Sequence, residues 1–312
     1  MVNPAQAHRR PARARRCVLA VPGSNPRMID KARGVDVDAV FLDLEDAVAP
    51  DAKEAARAQV AGALRDGGFA ARLVAVRVNG WHTPFTVADV QAVVGSGVAP
   101  GCIVLPKVSR PEHVVALALV LGQVEHAAGL PAGTVGIEAQ IEDAAALLAA
   151  PAIAAASPRL ESLVFGPGDF LASLGMRTSV VGAQPTGYDA DAYHHPLMAI
   201  LVAARAAGVQ AVDGPWSALG DDAGLRRSAG RSAGLGYDGK WAIHPAQVEA
   251  VTEAFTPSAD EVAAARALLD AYALATSASG GATGAIRWDG QMLDDAGRAM
   301  AAAVLARAGL VG

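Results

Sequence analysis

The sequence predicts an α/β fold, a (β/α)₈ (TIM) barrel with a C-terminal helical extension. Eight short apolar segments, ended by Gly, Pro or polar residues, alternate with longer Ala/Leu/Val-rich segments that carry charges at helical spacing. Each longer segment has room for the helix that a right-handed crossover between parallel strands requires. The chain has 312 residues, enough for one barrel with an addition, and no Pro/Gly/Ser-rich linker divides it before Ser277.

Apolar runs bounded by turn-forming or polar residues indicate the strands. The eight predicted strands are Cys17–Val21, Ala39–Leu44, Leu73–Val78, Ile103–Leu105, Gly136–Ile141, Ser162–Phe165, Gln210–Val212 and Lys240–Ile243. Between them, helical periodicity is clearest over Asp51–Arg65, Pro111–His126, Asp191–Ala207 and Asp222–Ala233.

The two ends of the chain differ in composition from the barrel. The first sixteen residues hold five arginines and no acid, so we expect residues 1–15 to be a disordered basic arm before a barrel domain over 16–276. The stretch Ser277–Gly284 (SASGGATG) is typical of a flexible hinge, and Gln291–Ala308 has the pattern of one amphipathic helix. We therefore expect residues 277–312 to form a linker and a lid helix.

Charge and composition exclude several classes of partner. A net charge of -5 and a lysine count of four leave no basic stripe for nucleic acid. The longest apolar run, Ala144–Ala156, is shorter than the ~20 residues that cross a bilayer, so we expect no membrane insertion. Cys17 and Cys102 have neither zinc-site nor disulfide-framework spacing, which favours a cytoplasmic location.

Polar residues follow most of the predicted strands. Because chemistry in (β/α)₈ barrels takes place at the carboxyl ends of the strands, these positions are the candidate site. A single aspartate there could instead cap a helix, but glutamate is a poor N-cap, and this makes Glu142 a stronger functional candidate. The rim candidates are Asp43, Glu45, Asp46, Arg77, Lys107, Glu142, Asp169 and His244.

Several carboxylates on one rim require a cation that offsets their repulsion. Oxygen ligands without a thiolate or histidine cluster favour Mg²⁺, with Mn²⁺ as the alternative, and Glu142 and Asp169 suit this role. The turn Gly166-Pro167-Gly168 can present backbone N–H groups to a small carboxylate, and Arg77 adds a permanent positive charge. We therefore expect a substrate with a carboxylate or a developing oxyanion.

A second candidate anion site follows the first strand. The loop that contains Ser24 and Asn25 opens a helix, whose first N–H groups can bind phosphate or another anion. Arg16 and His244 are further candidate substrate contacts. The chain has no Walker A loop, and no GxGxxG follows a predicted strand, so nucleotide hydrolysis and a dinucleotide fold have no support.

Several of these segments resemble a known family. The sequence is similar to the citrate lyase β-subunit-like branch of the HpcH/HpaI aldolase family, and within it to the malyl-CoA and β-methylmalyl-CoA lyases. The resemblance covers about residues 15 to 309 and is carried by Val21–Ile29, Leu42–Asp51, Val76–Trp81, Gln140–Ala145, Phe165–Leu171 and Lys240–Ala246. It implies a (β/α)₈ barrel, Mg²⁺, a CoA thioester with a small 2-oxo acid, and a homotrimer or homohexamer.

The resemblance also implies roles for individual residues. It makes Glu142 and Asp169 the metal ligands, Arg77 the active-site cation, and the amides around Gly168 the binding site for the 2-oxo acid carboxylate. It places Glu45 and Asp46 around the metal ligands, and we expect Asp43 and Lys107 to lie there as well. The segment Gln291–Ala296 resembles the family's lid motif, so Asp294 takes the catalytic acid/base role, delivered across a subunit boundary. Three positions, Gly168, Leu293 and Asp295, depart from the family's usual residues.

The expected activity is reversible cleavage of a malyl-CoA-type thioester to glyoxylate or pyruvate and an acyl-CoA. A (3S)-malyl-CoA thioesterase that uses the same metal site is the first alternative, and a citryl-thioester lyase subunit is another. A Schiff-base aldolase with Lys107 or Lys240 as nucleophile is a mechanistically distinct alternative. A non-catalytic subunit that binds CoA or an acyl carrier is the fourth.

Overall fold

The computed structural model describes residues 12–277 and 284–309. The chain divides into a barrel unit that ends at Phe255 and a C-terminal unit that begins at Thr256. The first eleven residues of the predicted arm and most of the predicted hinge lie outside the described residues. No helix among the described residues is long and apolar enough to cross a membrane.

Eight parallel strands close into a barrel in sequence order, with β8 paired to β1. This confirms the predicted fold class, and each strand lies within two residues of its predicted bounds. The strands are β1 (Cys17–Pro22), β2 (Ala39–Asp43), β3 (Leu73–Arg77), β4 (Cys102–Leu105), β5 (Gly136–Ile141), β6 (Leu160–Phe165), β7 (Gln210–Asp213) and β8 (Gly239–Ala242).

Helices connect the strands and cover the outside of the barrel. In the barrel unit they are α1 (Pro26–Arg33), α2 (Lys53–Asp66), α3 (Thr86–Val94), α4 (Pro111–Ala127), α5 (Ala144–Ala155), α6 (Pro167–Leu174), α7 (His194–Ala207), α8 (Asp222–Leu235) and α9 (Val248–Ala254). Most of the apolar core lies between these helices and the outward faces of the strands.

The inside of the barrel is a separate, smaller apolar cluster. Alternate residues of the strands point inward, among them Phe41, Val104, Val164 and Trp241, and the rings of Phe41 and Trp241 are 4.4 Å apart. This packing fills the middle of the barrel. The polar side chains at the carboxyl ends of the strands therefore lie directly above a closely packed apolar layer.

Residues 12–15 correct the prediction of a disordered arm, because two of their arginines are bonded to the base of the barrel. Arg15 is 1% exposed and donates to Glu138 at 2.9 Å, to Glu161 at 2.6 Å and to Gln210 at 2.6 Å. Arg13 donates to the other carboxylate oxygen of Glu161 at 2.7 Å. Each of the two buried acids, Glu138 and Glu161, thus has a guanidinium cation beside it.

The C-terminal unit contains α10 (Ala259–Thr276), a hairpin and α11 (Asp295–Gly309). The prediction of one helix from Gln291 is wrong at its start, because β9 (Ile286–Trp288) pairs with β10 (Gln291–Leu293) in an antiparallel hairpin. Asp289 and Gly290 form its two-residue turn with φ of 45° and 78°, a backbone that Asp-Gly favours. The structure also groups α10 with this unit, whereas the predicted boundary falls after residue 276.

Candidate active site

Asp43 and Arg77 form the most extensively bonded pair on the rim. They are register partners at the ends of β2 and β3, so both side chains point toward the same space. Arg77 Nε and Nη2 donate to the two oxygens of Asp43 at 2.8 and 2.7 Å. Its remaining nitrogen, Nη1, lies 3.2 Å from Glu45 and 3.3 Å from Asp46.

The surroundings keep Arg77 charged although it is buried. Its guanidinium carbon lies 5.6 Å from the ring centre of Phe41 and 5.7 Å from that of Trp241. Burial by itself lowers the pKa of Arg77, but the attraction of Asp43 and the neighbouring carboxylates outweighs it and raises the pKa above its usual value. The rim therefore has a fixed cation at the end of β3.

Two side chains that the sequence analysis did not single out support the loop after β2. Lys53 Nζ donates to the carbonyls of Leu44 and Glu45 at 2.7 and 2.8 Å. Asn79 Nδ2 donates to the Leu44 carbonyl at 2.9 Å and to Asp89 at 2.6 Å. Asn79 lies two residues after Arg77, the last residue of β3, and this position just beyond a strand end is the signal that could have identified it.

Glu142 follows β5 and is 4% exposed. Its carboxylate accepts the main-chain N–H of Lys107 at one oxygen and the Gln140 side-chain amide, at 2.8 Å, at the other. Burial raises the pKa of Glu142 to about 7, and the nearby charge of Asp169 adds to the effect while Lys107 opposes it. A cation bound at this carboxylate would favour its ionised form.

Asp169 lies in the first turn of α6, and its side chain is about half exposed. The helix begins directly after Gly166, and a Cβ placed on Gly166 would lie 2.5 Å from Glu142 Cβ and 2.6 Å from Glu142 Oε2. Glycine is therefore needed here so that α6 can start beside Glu142. A Cβ on Gly168 would make only ordinary contact with Val181, at 3.5 Å, so the family's commoner alanine would also fit.

Lys107 connects the two acidic sides of the rim. Its Nζ lies 2.7 Å from Glu45 Oε1 and 2.8 Å from Asp169 Oδ2, and its main-chain N–H binds Glu142. The residue has a φ of 53°, which is uncommon for a residue with a side chain. Burial lowers its pKa, but hydrogen bonds to Asp169 and Glu45 raise it above its usual value, so the amine is charged.

A cavity of about 360 Å³ opens beside Lys107, Glu142 and Asp169. Its wall includes His82 and His113, which the sequence analysis did not single out because a single histidine in a loop or helix has no characteristic pattern. A Cβ on Gly80 would lie 2.8 Å from His82 Nδ1, so this glycine makes room for the imidazole. The cavity is large enough for a small polar substrate next to the two carboxylates.

The charges of the rim suit a hard divalent cation. The carboxylates outnumber the basic groups, because Arg77 and Lys107 face Asp43, Glu45, Asp46, Glu142 and Asp169. Among residues 12–277 and 284–309 there is no group of three or more His, Cys, Asp or Glu that could hold a metal. Two carboxylates, with water and substrate completing the set, are what Mg²⁺ typically takes, and Glu142 and Asp169 fit that number.

The other predicted rim residues are at the carboxyl ends of β1 and β8. Asn25 caps α1 by accepting the N–H of Met28 at 3.2 Å, and Ser24 Oγ lies 3.4 Å from the Ala47 carbonyl. His244 follows β8 and accepts the N–H of Ala246 at 3.2 Å. All three are part of the loops on the same face as the carboxylates.

Arg16 does not belong to this face, which corrects its prediction as a substrate contact. It precedes β1, so it lies at the amino ends of the strands, opposite the rim. Its Nε and Nη2 donate to Asp38 at 2.8 and 2.7 Å, and its main-chain N–H donates to the same carboxylate. The side chain ties the start of β1 to the start of β2.

Asp294 lies in the C-terminal unit, between β10 and α11. Its Oδ1 accepts the N–H groups of Ala296 and Gly297 at 3.0 and 3.3 Å, so it is the N-cap of α11. It borders a groove of about 580 Å³ whose lining is mainly apolar, including Leu268, Trp288, Met292 and Val304. The acid/base role of Asp294 stays a prediction.

The structure weakens the Schiff-base alternative at both lysines. Lys240 is 1% exposed and donates to Asp213 at 2.7 Å and to the Gly214 carbonyl at 2.6 Å, so it has no open approach for a substrate. Lys107 is accessible, but its two carboxylate partners keep it protonated, and a protonated amine is not a nucleophile.

A family model described as HpcH/HpaI aldolase/citrate lyase matches residues 16–245. The match contains all eight strands and every rim residue described above. The chain belongs to the HpcH/HpaI aldolase/citrate lyase family.

Individual members of the HpcH/HpaI aldolase/citrate lyase family are similar over more of the chain. An L-malyl-CoA/beta-methylmalyl-CoA lyase of Cereibacter sphaeroides is 38% identical, and the alignment covers 96% of each protein. A (3S)-malyl-CoA thioesterase of Cereibacter sphaeroides is 37% identical over 82% of each protein. The crystal structure of CitE from Mycobacterium tuberculosis in complex with magnesium, acetoacetate and coenzyme A is 32% identical, with a TM-score of 0.72, over 94% of this chain and 97% of that chain.

Proposed function

We propose that the protein is a Mg²⁺-dependent CoA-ester lyase. Its substrate would be malyl-, β-methylmalyl- or citramalyl-CoA, cleaved reversibly to glyoxylate or pyruvate and an acyl-CoA. The observation that carries the proposal is the meeting of Glu142 and Asp169 at Lys107, beside the fixed cation Arg77. The similarity to a lyase of this type over nearly the full length supports the choice of substrate class.

Glu142 and Asp169 would hold the ion, with Mn²⁺ as the alternative to Mg²⁺. The bound ion supplies a Lewis acid for the hydroxyl and carboxylate oxygens of the 2-hydroxy acid part of the substrate. Gly168 and Asp169 lie in the first turn of α6, where main-chain N–H groups have no partner within the helix. We assign these N–H groups to the substrate carboxylate.

In cleavage, the hydroxyl would pass its proton to solvent water, and the bond between its carbon and the carbon next to the thioester would break to leave the 2-oxo acid. The electron pair moves into the thioester, which becomes an enolate. Arg77 stabilises this negative charge or that of the adjacent carboxylate through Nη1, since Asp43 occupies Nε and Nη2. Asp294 then donates a proton to the enolate carbon, and condensation reverses these roles.

We further propose that the protein is a homotrimer or homohexamer in which Asp294 comes from a neighbouring copy. The CoA part of the substrate would lie over the loop with Ser24 and Asn25 and near His244, because these residues border the rim at β1 and β8. Helix α1 starts in that loop, and its first N–H groups suit a phosphate.

Product analysis tests the activity. The purified protein is incubated with Mg²⁺ and each of malyl-, β-methylmalyl-, citramalyl- and citryl-CoA, and both products are identified. We expect a 2-oxo acid and a shorter acyl-CoA. Free CoA with malate would instead identify the (3S)-malyl-CoA thioesterase, an alternative that a 37% identical relative of that name supports. Absence of turnover on every thioester would indicate a subunit that only binds CoA or an acyl carrier.

Chelation separates the metal mechanism from Schiff-base chemistry. Because Lys107 is held protonated and Lys240 is buried, we expect EDTA to abolish cleavage and Mg²⁺ to restore it. Activity that survives EDTA and is lost on borohydride trapping with substrate would contradict the proposal and favour a lysine nucleophile.

A further inference from the structure

The inward face of β5 carries three polar residues in a row. Glu138, Gln140 and Glu142 alternate with apolar neighbours, so their side chains form a column inside the barrel from its base to its rim. At the base Glu138 binds Arg15 at 2.9 Å, and at the rim Gln140 Nε2 donates to Glu142 Oε2 at 2.8 Å. Gln140 lies between the base of this column and the proposed metal ligand at its rim.

The hydrogen bonding of the Gln140 side chain indicates that this residue does not stabilise the barrel. The residue is 3% exposed, and its Oε1 has no hydrogen-bond partner among the residues that the structure describes. Its amide group therefore makes its hydrogen bond to Glu142 and leaves a buried carbonyl unsatisfied, which is unfavourable for stability. A leucine or methionine would fill the same space without that loss.

Gln210 shows how a structural glutamine differs. It also points into the barrel and is buried, but both ends of its amide are bonded within the base. Its Oε1 accepts from Arg15 at 2.6 Å, and its Nε2 donates to the Arg13 carbonyl at 3.0 Å. Gln210 therefore serves as the matched comparison, a buried glutamine that does not touch Glu142.

The contact between Gln140 and Glu142 is also closely packed. A Cβ on Gly166 would lie 3.3 Å from Gln140 Nε2, so the amide occupies part of the space that this glycine leaves. Lys107 donates to the other oxygen of Glu142. Each carboxylate oxygen thus has one fixed donor, and its remaining lone pair has a defined direction.

We propose that Gln140 is a positioning residue that orients the Glu142 carboxylate for a divalent cation. The inference rests on the proposed function, because it takes Glu142 as a metal ligand. Without the amide, a carboxylate that is buried except at the rim loses one of its two donors and can turn away from the ion. Loss of such a supporting hydrogen bond typically weakens metal binding by about 10- to 100-fold.

Calorimetric titration with Mg²⁺ tests the proposal directly. Three full-length proteins are compared: the unchanged protein, Gln140→Met and Gln210→Met. We expect Gln140→Met to bind Mg²⁺ about 10- to 100-fold more weakly while its kcat at saturating Mg²⁺ stays near that of the unchanged protein. Gln210→Met should lose thermal stability but keep its Mg²⁺ affinity. Gln140→Leu is measured in parallel in case the methionine variant does not fold.

The possible failures are distinguishable. If the unchanged protein binds no divalent cation, the proposed metal site is wrong, and the proposed positioning role of Gln140 is wrong as well. If the unchanged protein binds Mg²⁺ and either folded Gln140 variant binds it equally well, only the positioning role is wrong. Equal weakening in Gln140→Met and Gln210→Met would show that barrel stability is responsible, and would also overturn the inference.

Discussion

Arg77 can act on a substrate only through Nη1, because Nε and Nη2 make a bidentate hydrogen-bonded pair with the Asp43 carboxylate. This pairing fixes the plane of the group and directs Nη1 toward Glu45 and Asp46. A charge that is already oriented stabilises a developing anion without reorganising during the reaction. The role assigned to Arg77 therefore depends on its shape as well as on its charge.

Arg77→Lys tests this dependence. Lysine keeps the charge but cannot bind both oxygens of Asp43 and also extend a nitrogen to the rim. We expect kcat to fall by about 10²- to 10³-fold, as for the loss of a preorganised charge-stabilising donor, with little change in the melting temperature. The conservative surface change Arg226→Lys is the control, and wild-type kcat in Arg77→Lys would contradict the assignment.

Glu142 should make the stability of the metal-free protein depend on pH. Burial raises its pKa to about 7 in the folded protein, above the ~4.3 of an unfolded chain. The folded state therefore holds the proton more tightly, and the stabilisation, on the order of 3 kcal/mol, is complete below pH ~4.3 and is lost as pH rises through about 7. Urea unfolding in EDTA at a series of pH values measures it.

Glu142→Gln is the control for this pH dependence, because glutamine has a similar shape and does not titrate. In that variant the decline of the unfolding free energy between pH ~4.3 and 7 should be smaller. An identical decline in both proteins would show that other groups cause it.

At the scale of whole elements, the ends of helices and strands determine where the candidate groups lie. Gly166 lets α6 begin against Glu142, which brings Asp169 to the same side of the rim. In the C-terminal unit, Asp289 and Gly290 reverse the chain and form a hairpin, so that Asp294 directly precedes α11. As the cap of this helix, Asp294 has a structural role in addition to the proposed catalytic one.

Two substitutions at Asp294 separate these roles. Asparagine caps a helix about as well as aspartate but cannot transfer a proton, whereas alanine does neither. We expect Asp294→Asn to lose most of kcat with little change in the thermal unfolding of α11, and Asp294→Ala to lose both, with about 1 kcal/mol of stability. Kinetics and circular dichroism are the measurements.

Asp221, which caps α8 by accepting the N–H of Gly224 at 2.8 Å, provides the control. Asp221→Asn and Asp221→Ala should differ from each other in stability only. If Asp294→Asn were as active as the unchanged protein, Asp294 would be a cap without an acid/base role.

At the scale of the whole molecule, the two ends of the barrel have different functions. The carboxyl ends of the strands collect the candidate catalytic groups, whereas the base is closed by Arg15 and its bonds to β5, β6 and β7. The described residues before β1, 12–16, are therefore part of the barrel. This separation allows changes at the rim without loss of the fold.

Arg15→Met should destabilise the protein strongly, because it leaves Glu138 and Glu161 buried beside each other without this cation. Removing one partner of a buried ion pair costs about 3 to 5 kcal/mol. Urea denaturation measures the loss. The exposed Arg226, which pairs with Asp222 and Glu253, gives the comparison, and Arg226→Met should change little. Equal stability of the two variants would contradict the structural role of Arg15.

Mixed oligomers test the proposed sharing of sites between copies. Glu142→Gln and Asp294→Ala are each expected to be inactive alone. Co-expressed with different tags and purified through both, they should regain part of the activity, because some sites would combine an intact Glu142 with an intact Asp294. A mixed oligomer as inactive as its parents would show that Asp294 does not act in a neighbour's site.

Much of the site could be predicted from sequence because the parallel strands of a barrel all end on one rim. Glu142, Asp169, Arg77 and Lys107 each follow a recognisable apolar run, so their meeting follows from the topology alone. Their neighbours could not be predicted in the same way. Gln140 looks like any polar residue inside a strand, and only its single bond to Glu142 distinguishes it from Gln210.

The sequence by itself determined which segments form strands, their order in the barrel and which acids lie on the rim, because alternation of apolar and polar residues is a local property. Only the tertiary structure decided which side chains bond to each other. Arg15 and Glu138 are 123 positions apart, and Arg16 turned out to bind Asp38 at the opposite end from the rim. Such pairs depend on side-chain distances between separate strands, which no local pattern encodes.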